Sequence, residues 1–174
     1  MKMEKLVRLT AVLVEIGAVS IAISGGAYAQ EPAEHRRIGI SASLQASQLE
    51  LSIPVWVGQR VVVAPCLSAV YAEDVGTDIG VGVTERFNLR DGSAIPYLGG
   101  RVVALTLSPK DGDSVTDWVF GLTLGCECFL ATHFSLSTEA QVNFSVSDEQ
   151  SSRFGNPGKT NMNTATAVAA TAYF

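Results

Sequence analysis

Residues able to do chemistry are few in this chain. His133, Ser135 and Glu139 supply a base, a nucleophile and an acid close together, the side-chain types of a hydrolytic triad. His133 falls at a turn, however, and Ser135 and Glu139 alternate with other polar residues along one strand. The preferred reading is a turn histidine beside ordinary polar wall residues. Asp111, Asp113 and Asp117 invite a calcium loop, but the run lacks the glycine position and distal glutamate of an EF-hand and reads as a solvated acidic loop. Cys126 and Cys128 are two apart, which puts both thiols on one face of a strand and suits no ordinary disulfide. With Cys66 they complete no zinc set, and all three read as small apolar side chains. Gly80, Gly82, Gly121 and Gly125 alternate within strands, so they indicate close packing rather than a phosphate loop. His35, beside Arg36 and Arg37, reads as a solvated tail residue. No catalytic, cofactor-binding or metal-binding residue is expected, and the chain is read as non-enzymatic.

The elements that carry these residues are strands. Apolar and polar residues alternate with period two, most clearly over Phe134 to Val146. There Phe134, Leu136, Val142 and Phe144 share one face, and Ser135, Glu139, Gln141 and Asn143 the other. The preceding strand, Asp117 to Leu130, alternates in the same way. Further strands are expected at Ile38–Ala46, Gln48–Val57, Val61–Ala72, Ile79–Leu89, Pro96–Ser108 and Thr164–Phe174, giving eight. Strands of roughly 10–13 residues exceed the usual globular length and match a tilted membrane crossing. The longest connections, Glu73–Asp78, Pro109–Thr116 and Ser147–Asn163, alternate with tight turns, which places them outside a barrel whose two ends lie in the periplasm.

Upstream, residues 1–29 read as a secretory signal. Lys2, Lys5 and Arg8 precede the apolar stretch Leu9 to Ile23, and Ala27-Tyr28-Ala29 is a small-x-small cleavage site. Its removal leaves a tail, residues 30–37, and a barrel, residues 38–174. The mature chain then carries nine Lys and Arg against fifteen Asp and Glu, a net charge of −6. That balance argues against nucleic-acid binding. The expected fold is therefore all-β: an eight-stranded antiparallel up-and-down transmembrane β-barrel in the cell outer membrane.

The chain resembles the small eight-stranded outer-membrane barrels of the OmpA/OmpX type over residues 38–174. The carriers are Pro96-Tyr97-Leu98-Gly99-Gly100, Gly125-Cys126-Glu127-Cys128-Phe129, His133-Phe134-Ser135, Glu139 and the terminal Tyr173-Phe174. Cys128, where such proteins carry an aromatic, and Pro65, inside a strand, depart from the pattern. The resemblance implies a structural, adhesive or surface-interacting membrane protein. It implies contact with outer-membrane lipids and lipopolysaccharide, and use of the outer-membrane assembly machinery, for which Tyr173 and Phe174 would be the signal. The alternatives are a narrow passive pore, a soluble ligand-holding barrel with apolar residues inward, and a lipid-modifying enzyme. Some barrels of this size are lipid A deacylases with a His-x-Ser arrangement, but His133 is expected at the periplasmic end, away from lipid A.

One internal site is expected. Arg86, Arg101, Glu127 and Glu139 fall at a similar height on four consecutive strands, and Arg101 is expected to bridge the two carboxylates. Arg101 inward also turns Val103, Leu105 and Leu107 inward unless Val102-Val103 forms a bulge. Glu85 has the parity of the lipid face, so a bulge or a boundary position is expected there. Gln150 to Met162 is expected to be an exposed, mobile loop.

Overall fold

A long alternating ribbon leaves two hydrogen-bonding edges open, and pairing ribbons in a ring removes them. The computed structural model describes residues 38–45 and 48–174. The expected signal peptide 1–29, the tail 30–37 and the Ala46-Ser47 connection lie outside the described residues. The strands are β1 (Gly39–Gln45), β2 (Gln48–Ser52), β3 (Val55–Trp56), β4 (Val61–Ala72), β5 (Gly76–Asn88), β6 (Ala94–Pro109), β7 (Val115–Ala131), β8 (Phe134–Val146) and β9 (Thr160–Tyr173). They form one antiparallel sheet in chain order, and β9 returns to β1 from Gly39↔Tyr173 to Gln45↔Ala167. β2 and β3 share one place in the wall, both pairing with β4, so the closed barrel has eight strands.

Two prolines explain the break between β2 and β3. Pro54 lies in it, and Pro65 of β4 lies across from it, between the pairs Ser52↔Cys66 and Val55↔Val63. Neither proline has an N–H to give to the ladder. Their carbonyls are still used: Pro54 O accepts from Gly39 N at 2.9 Å, and Pro65 O from Ile53 N at 3.0 Å.

The ladders also fix the barrel's dimensions. Paired residues traced from Glu50 through β1, β9, β8 and β7 arrive at Ile95 of β6. Traced through β4 and β5, they arrive at Leu105, ten residues away. Eight strands about 4.8 Å apart, with that stagger and a rise of about 3.3 Å per residue, tilt by about 40° and give a radius of about 8 Å. Side chains occupy most of a lumen that narrow.

The two faces are inverted relative to a soluble protein. Outward stand Leu44, Leu67, Val81, Leu98, Leu122 and Val168, all exposed. Inward stand polar groups: Asp117, Glu127 and Ser135 are wholly buried, with Gln141 and Asn143 nearly so. Arg101 faces inward with Val103 and Leu105, and no bulge is needed, because β5 and β6 pair in unbroken register. The inward apolar side chains instead form a small core: Cys66, Val103 and Val119, with Leu105 and Phe154 packed on it. Glu85 faces outward on a regular strand without a bulge, three residues before β5 ends at the terminal rim.

Both chain ends of the barrel lie at one rim, here the terminal end. At the opposite, loop end, the strands run further than the sequence suggested. They leave Glu73–Val75, Lys110–Ser114 and residues 147–159 as connections, the last shortened by a β9 that starts at Thr160 instead of Thr164. Cross-strand hydroxyl pairs extend the β6–β7 ladder, Thr106 with Thr116 at 3.0 Å and Ser108 with Ser114 at 2.9 Å. The expected contrast between long and tight connections therefore survives mainly in residues 147–159.

Candidate functional site

The lumen carries its charges in three tiers, each assembled from strands distant in sequence. The lowest, near the terminal end, is built on Glu127 of β7. Its carboxylate accepts from Arg86 Nη2 at 2.6 Å, from Ser135 Oγ at 2.6 Å and from Tyr173 Oη at 2.8 Å. Arg86 also donates to Tyr173 Oη at 2.8 Å and lies over the Tyr97 ring, 5.2 Å from its centroid. A buried carboxylate is tolerable only with such company: a cation, two hydroxyl donors and no exposure. Phe129 stacks against Tyr173 with ring centroids 5.6 Å apart and stops the lower end.

Tyr97 links this tier to the next. Its hydroxyl donates to Glu139 Oε2 at 3.1 Å. It reaches across because its partner on β7 is Gly125. A Cβ at Gly125 would lie 2.3 Å from the Tyr97 ring. Gln141 then donates to Glu139 Oε1 at 2.6 Å.

The middle tier is built on Arg101 of β6. Its Nη2 donates to Glu50 Oε2 at 2.7 Å, and its Nη1 to Gln45 at 3.2 Å and Gln141 at 3.4 Å. Gly121, opposite on β7, makes room, since a Cβ there would lie 2.6 Å from Arg101 Cγ. Glu50 comes from β2, on the far side of the barrel, and the ten-residue stagger is what brings it to the height of Arg101.

The uppermost tier joins the wall to residues 147–159. Asp117 Oδ2 accepts from Ser151 Oγ at 2.7 Å and from Arg153 Nε at 3.0 Å, and Oδ1 from Asp148 N at 2.9 Å. Arg153 also holds Asp78 of β5 through both terminal nitrogens, Nη2 to Oδ1 at 2.8 Å and Nη1 to Oδ2. Burial works to lower the pKa of the Arg153 guanidinium. The hydrogen bond and charge of Asp78, then those of Asp117, outweigh it and raise the pKa. Next in sequence, Phe154 packs down onto Val103 and Val119.

The structure thus brings Arg86 to Glu127 and connects Glu139 to both lower tiers, but it corrects the role expected of Arg101. That residue pairs with Glu50, not with Glu127 or Glu139, and reaches Glu139 only through Gln141. The reason is register. β6 and β7 close about Asp111, not about Gly112-Asp113, so Arg101 stands opposite Gly121 while Glu139 stands opposite Gly125. Sequence reasoning missed Glu50, Gln45, Tyr97 and the Asp78–Arg153–Asp117 tier. Parity alone signalled them, since each wall residue among them falls on the inward face of its strand. Residues 150–162 match the expected exposure only in part: Gln150, Ser152 and 155–160 are exposed, but Ser151 is buried, and Thr160–Met162 belong to β9. Tyr173 is buried in the lowest tier, while Phe174 is exposed with its N donating to Ile38 O at 2.9 Å. Ser135 is turned to Glu127, and His133 stands exposed in the β7–β8 turn. Among the described residues no cluster of three or more metal-ligating side chains occurs.

No protein-family model and no curated protein matches the chain. Among solved structures, the chain is similar to the crystal structure of Neisserial surface protein A (NspA), with a TM-score of 0.52 at 11% identity over 79% of this chain and 93% of that one. A remoter similarity is to the NanC porin, with a TM-score of 0.33 at 8% identity over 79% of this chain and 99% of that one. The first is a likeness of fold, and the second is too remote to carry an argument.

Proposed function

We propose that this chain is a non-enzymatic outer-membrane β-barrel with a structural, adhesive or surface-interaction role, presenting residues 147–159 to the outside. The observation that carries the reading is the inversion of polarity: exposed leucine and valine all around the wall, ion pairs and amides within. In water that arrangement exposes the hydrophobic surface that folding normally removes, whereas in a bilayer each face meets its matching solvent. A soluble ligand-holding barrel requires the opposite polarity. Outward aromatics support the same reading. Trp118 and Tyr71 lie toward the loop end, and Phe134 and Phe174 at the terminal end. Val146, the β8 partner of Trp118, is twelve residues from Phe134. At the deduced tilt that separation is about 30 Å of height, the thickness of a bilayer's apolar core. NspA, whose fold this chain shares, is named as a surface protein, which agrees with the proposed role.

A passive pore is less well supported. Three tiers of paired charge and the inward Phe154 and Phe129 stand in series along an eight-stranded lumen. The orientation is tested by inserting an epitope tag after Pro157 and labelling intact cells with antibody. Labelling without permeabilisation is expected. Labelling only after the outer membrane is breached would reverse the orientation and remove the surface role.

A further inference from the structure

Between the Arg101–Glu50 pair and the Phe154 ring, the upper lumen holds a cavity of about 200 Å³. One wall is made of carboxamides from four strands: Gln45 of β1, Gln48 of β2, Asn143 of β8 and Asn163 of β9. The other is apolar, with Val103, Leu105 and Val119 beneath Phe154. Two buried polar atoms at its margin, Asn143 Oδ1 and Arg101 Nε, have no hydrogen-bond partner among the described residues.

The cavity also has an entrance. Beyond Gln45↔Ala167, β9 continues to Thr160 with β8 as its only ladder partner among the described residues. Beyond Glu50↔Ser68, β4 continues to Ala72 with β5 alone. With the stagger and tilt deduced above, the wall at the β1–β2 hairpin stands about 10 Å lower than the start of β9. Gln48 and Asn163 are exposed at this notch, while Asn143 and Ser145 are buried behind it.

We propose that this cavity binds a neutral, polyhydroxylated ring of monosaccharide size, admitted through the notch above the β1–β2 hairpin. A sugar ring has the same two-sidedness as the cavity, with a rim of hydroxyls that planar carboxamides engage in pairs and a C–H face that packs on an aromatic or branched aliphatic surface. Neutrality follows from Arg101 and Glu50, which satisfy each other's charge and leave none for an ionic ligand. The volume is below that of pockets for drug-sized ligands, which run from about 300 Å³, and it suits a single small ring. Filled with solvent alone, it holds about seven waters at roughly 30 Å³ each. The site is a property of the folded barrel, so its test stands or falls apart from the membrane placement proposed above.

The test uses the mature protein refolded in dodecyldimethylamine oxide micelles, which carry no sugar headgroup. Saturation-transfer NMR is run with glucose, galactose, N-acetylglucosamine and myo-inositol as probes. Transfer to at least one probe is expected. Asn163→Trp, which removes one lining carboxamide and fills part of the cavity's mouth, and Asn143→Ala, which removes a buried partner, are each expected to raise the half-saturating concentration about tenfold, the worth of one well-placed hydrogen bond or contact. A heat-modifiable band confirms that each variant is folded. Gln48→Trp, on the opposite side of the notch, gives the same reading from an exposed position. No transfer from the folded wild type to any of the four probes would mean that the cavity holds water only, and would overturn the proposal. Unchanged transfer in folded Asn163→Trp and Gln48→Trp would overturn it as well.

Discussion

Replacing Glu127 by methionine tests whether the lowest tier holds the barrel together. The substitution keeps side-chain bulk and removes the acceptor of three short hydrogen bonds, from Arg86, Ser135 and Tyr173. It leaves the Arg86 guanidinium, only 16% exposed, without a counter-charge. Breaking a buried pair from one side costs about 3–5 kcal/mol. The lost hydrogen bonds of the two hydroxyls add about 1 kcal/mol between them. The expected loss is thus about 4–6 kcal/mol. Arg86→Met with Glu127→Met removes both charges, and its expected loss is only about 1–3 kcal/mol. The cycle should therefore show a coupling of at least about 2 kcal/mol, with the double variant more stable than Glu127→Met alone. The assay is urea unfolding of the refolded barrel in phospholipid vesicles, followed by the heat-modifiable band. Coupling below about 0.5 kcal/mol, or a double variant weaker than either single one, would refute the idea that Glu127 and Arg86 act as a compensated pair.

Other outcomes follow from the remaining contacts. Arg101→Met should destabilise the barrel by about 2–4 kcal/mol by stranding Glu50, and adding Glu50→Leu should recover part of that loss in the same urea assay. Asp117→Ala should release residues 147–159, so that limited proteolysis within them quickens about tenfold or more while the barrel stays folded. Deleting Phe174 should leave the unfolding midpoint of the refolded barrel nearly unchanged, because its side chain is exposed, yet lower the amount assembled in cells. Tyr173→Phe should do the reverse, lowering stability by about 1–3 kcal/mol through its lost hydroxyl bonds to Glu127 and Arg86.

Much of the wall was readable because alternation in a barrel is set by solvent on both faces. Phe134–Val146 begins and ends where period two begins and ends, and Val61–Ala72, apolar on both faces, has the bounds expected of it. The inward parity of Arg86, Arg101, Glu127 and Glu139 was readable for the same reason. Which partner each would find was not. Partners across a lumen depend on the stagger, and the stagger depends on every turn together. A small shift in the β6–β7 closure moved Arg101 away from Glu139. The completed stagger then offered it Glu50, more than fifty positions away in sequence. The inward fold of residues 147–159 was hidden for another reason. Ser, Asn, Gly and Pro mark a segment without regular structure, but they do not say whether that segment is tethered. The tethers are Arg153, Ser151 and Phe154, single residues whose partners lie on β5, β6 and β7.

The central claim is that this inverted barrel resides in the outer membrane. Cells producing the protein are broken, and their envelopes are separated by density and washed at high pH to strip peripheral proteins. The account predicts that the protein stays with the outer-membrane fraction, is released only by detergent, and shifts in mobility when boiled. Recovery in the soluble periplasmic fraction, or release by the alkaline wash, would contradict it.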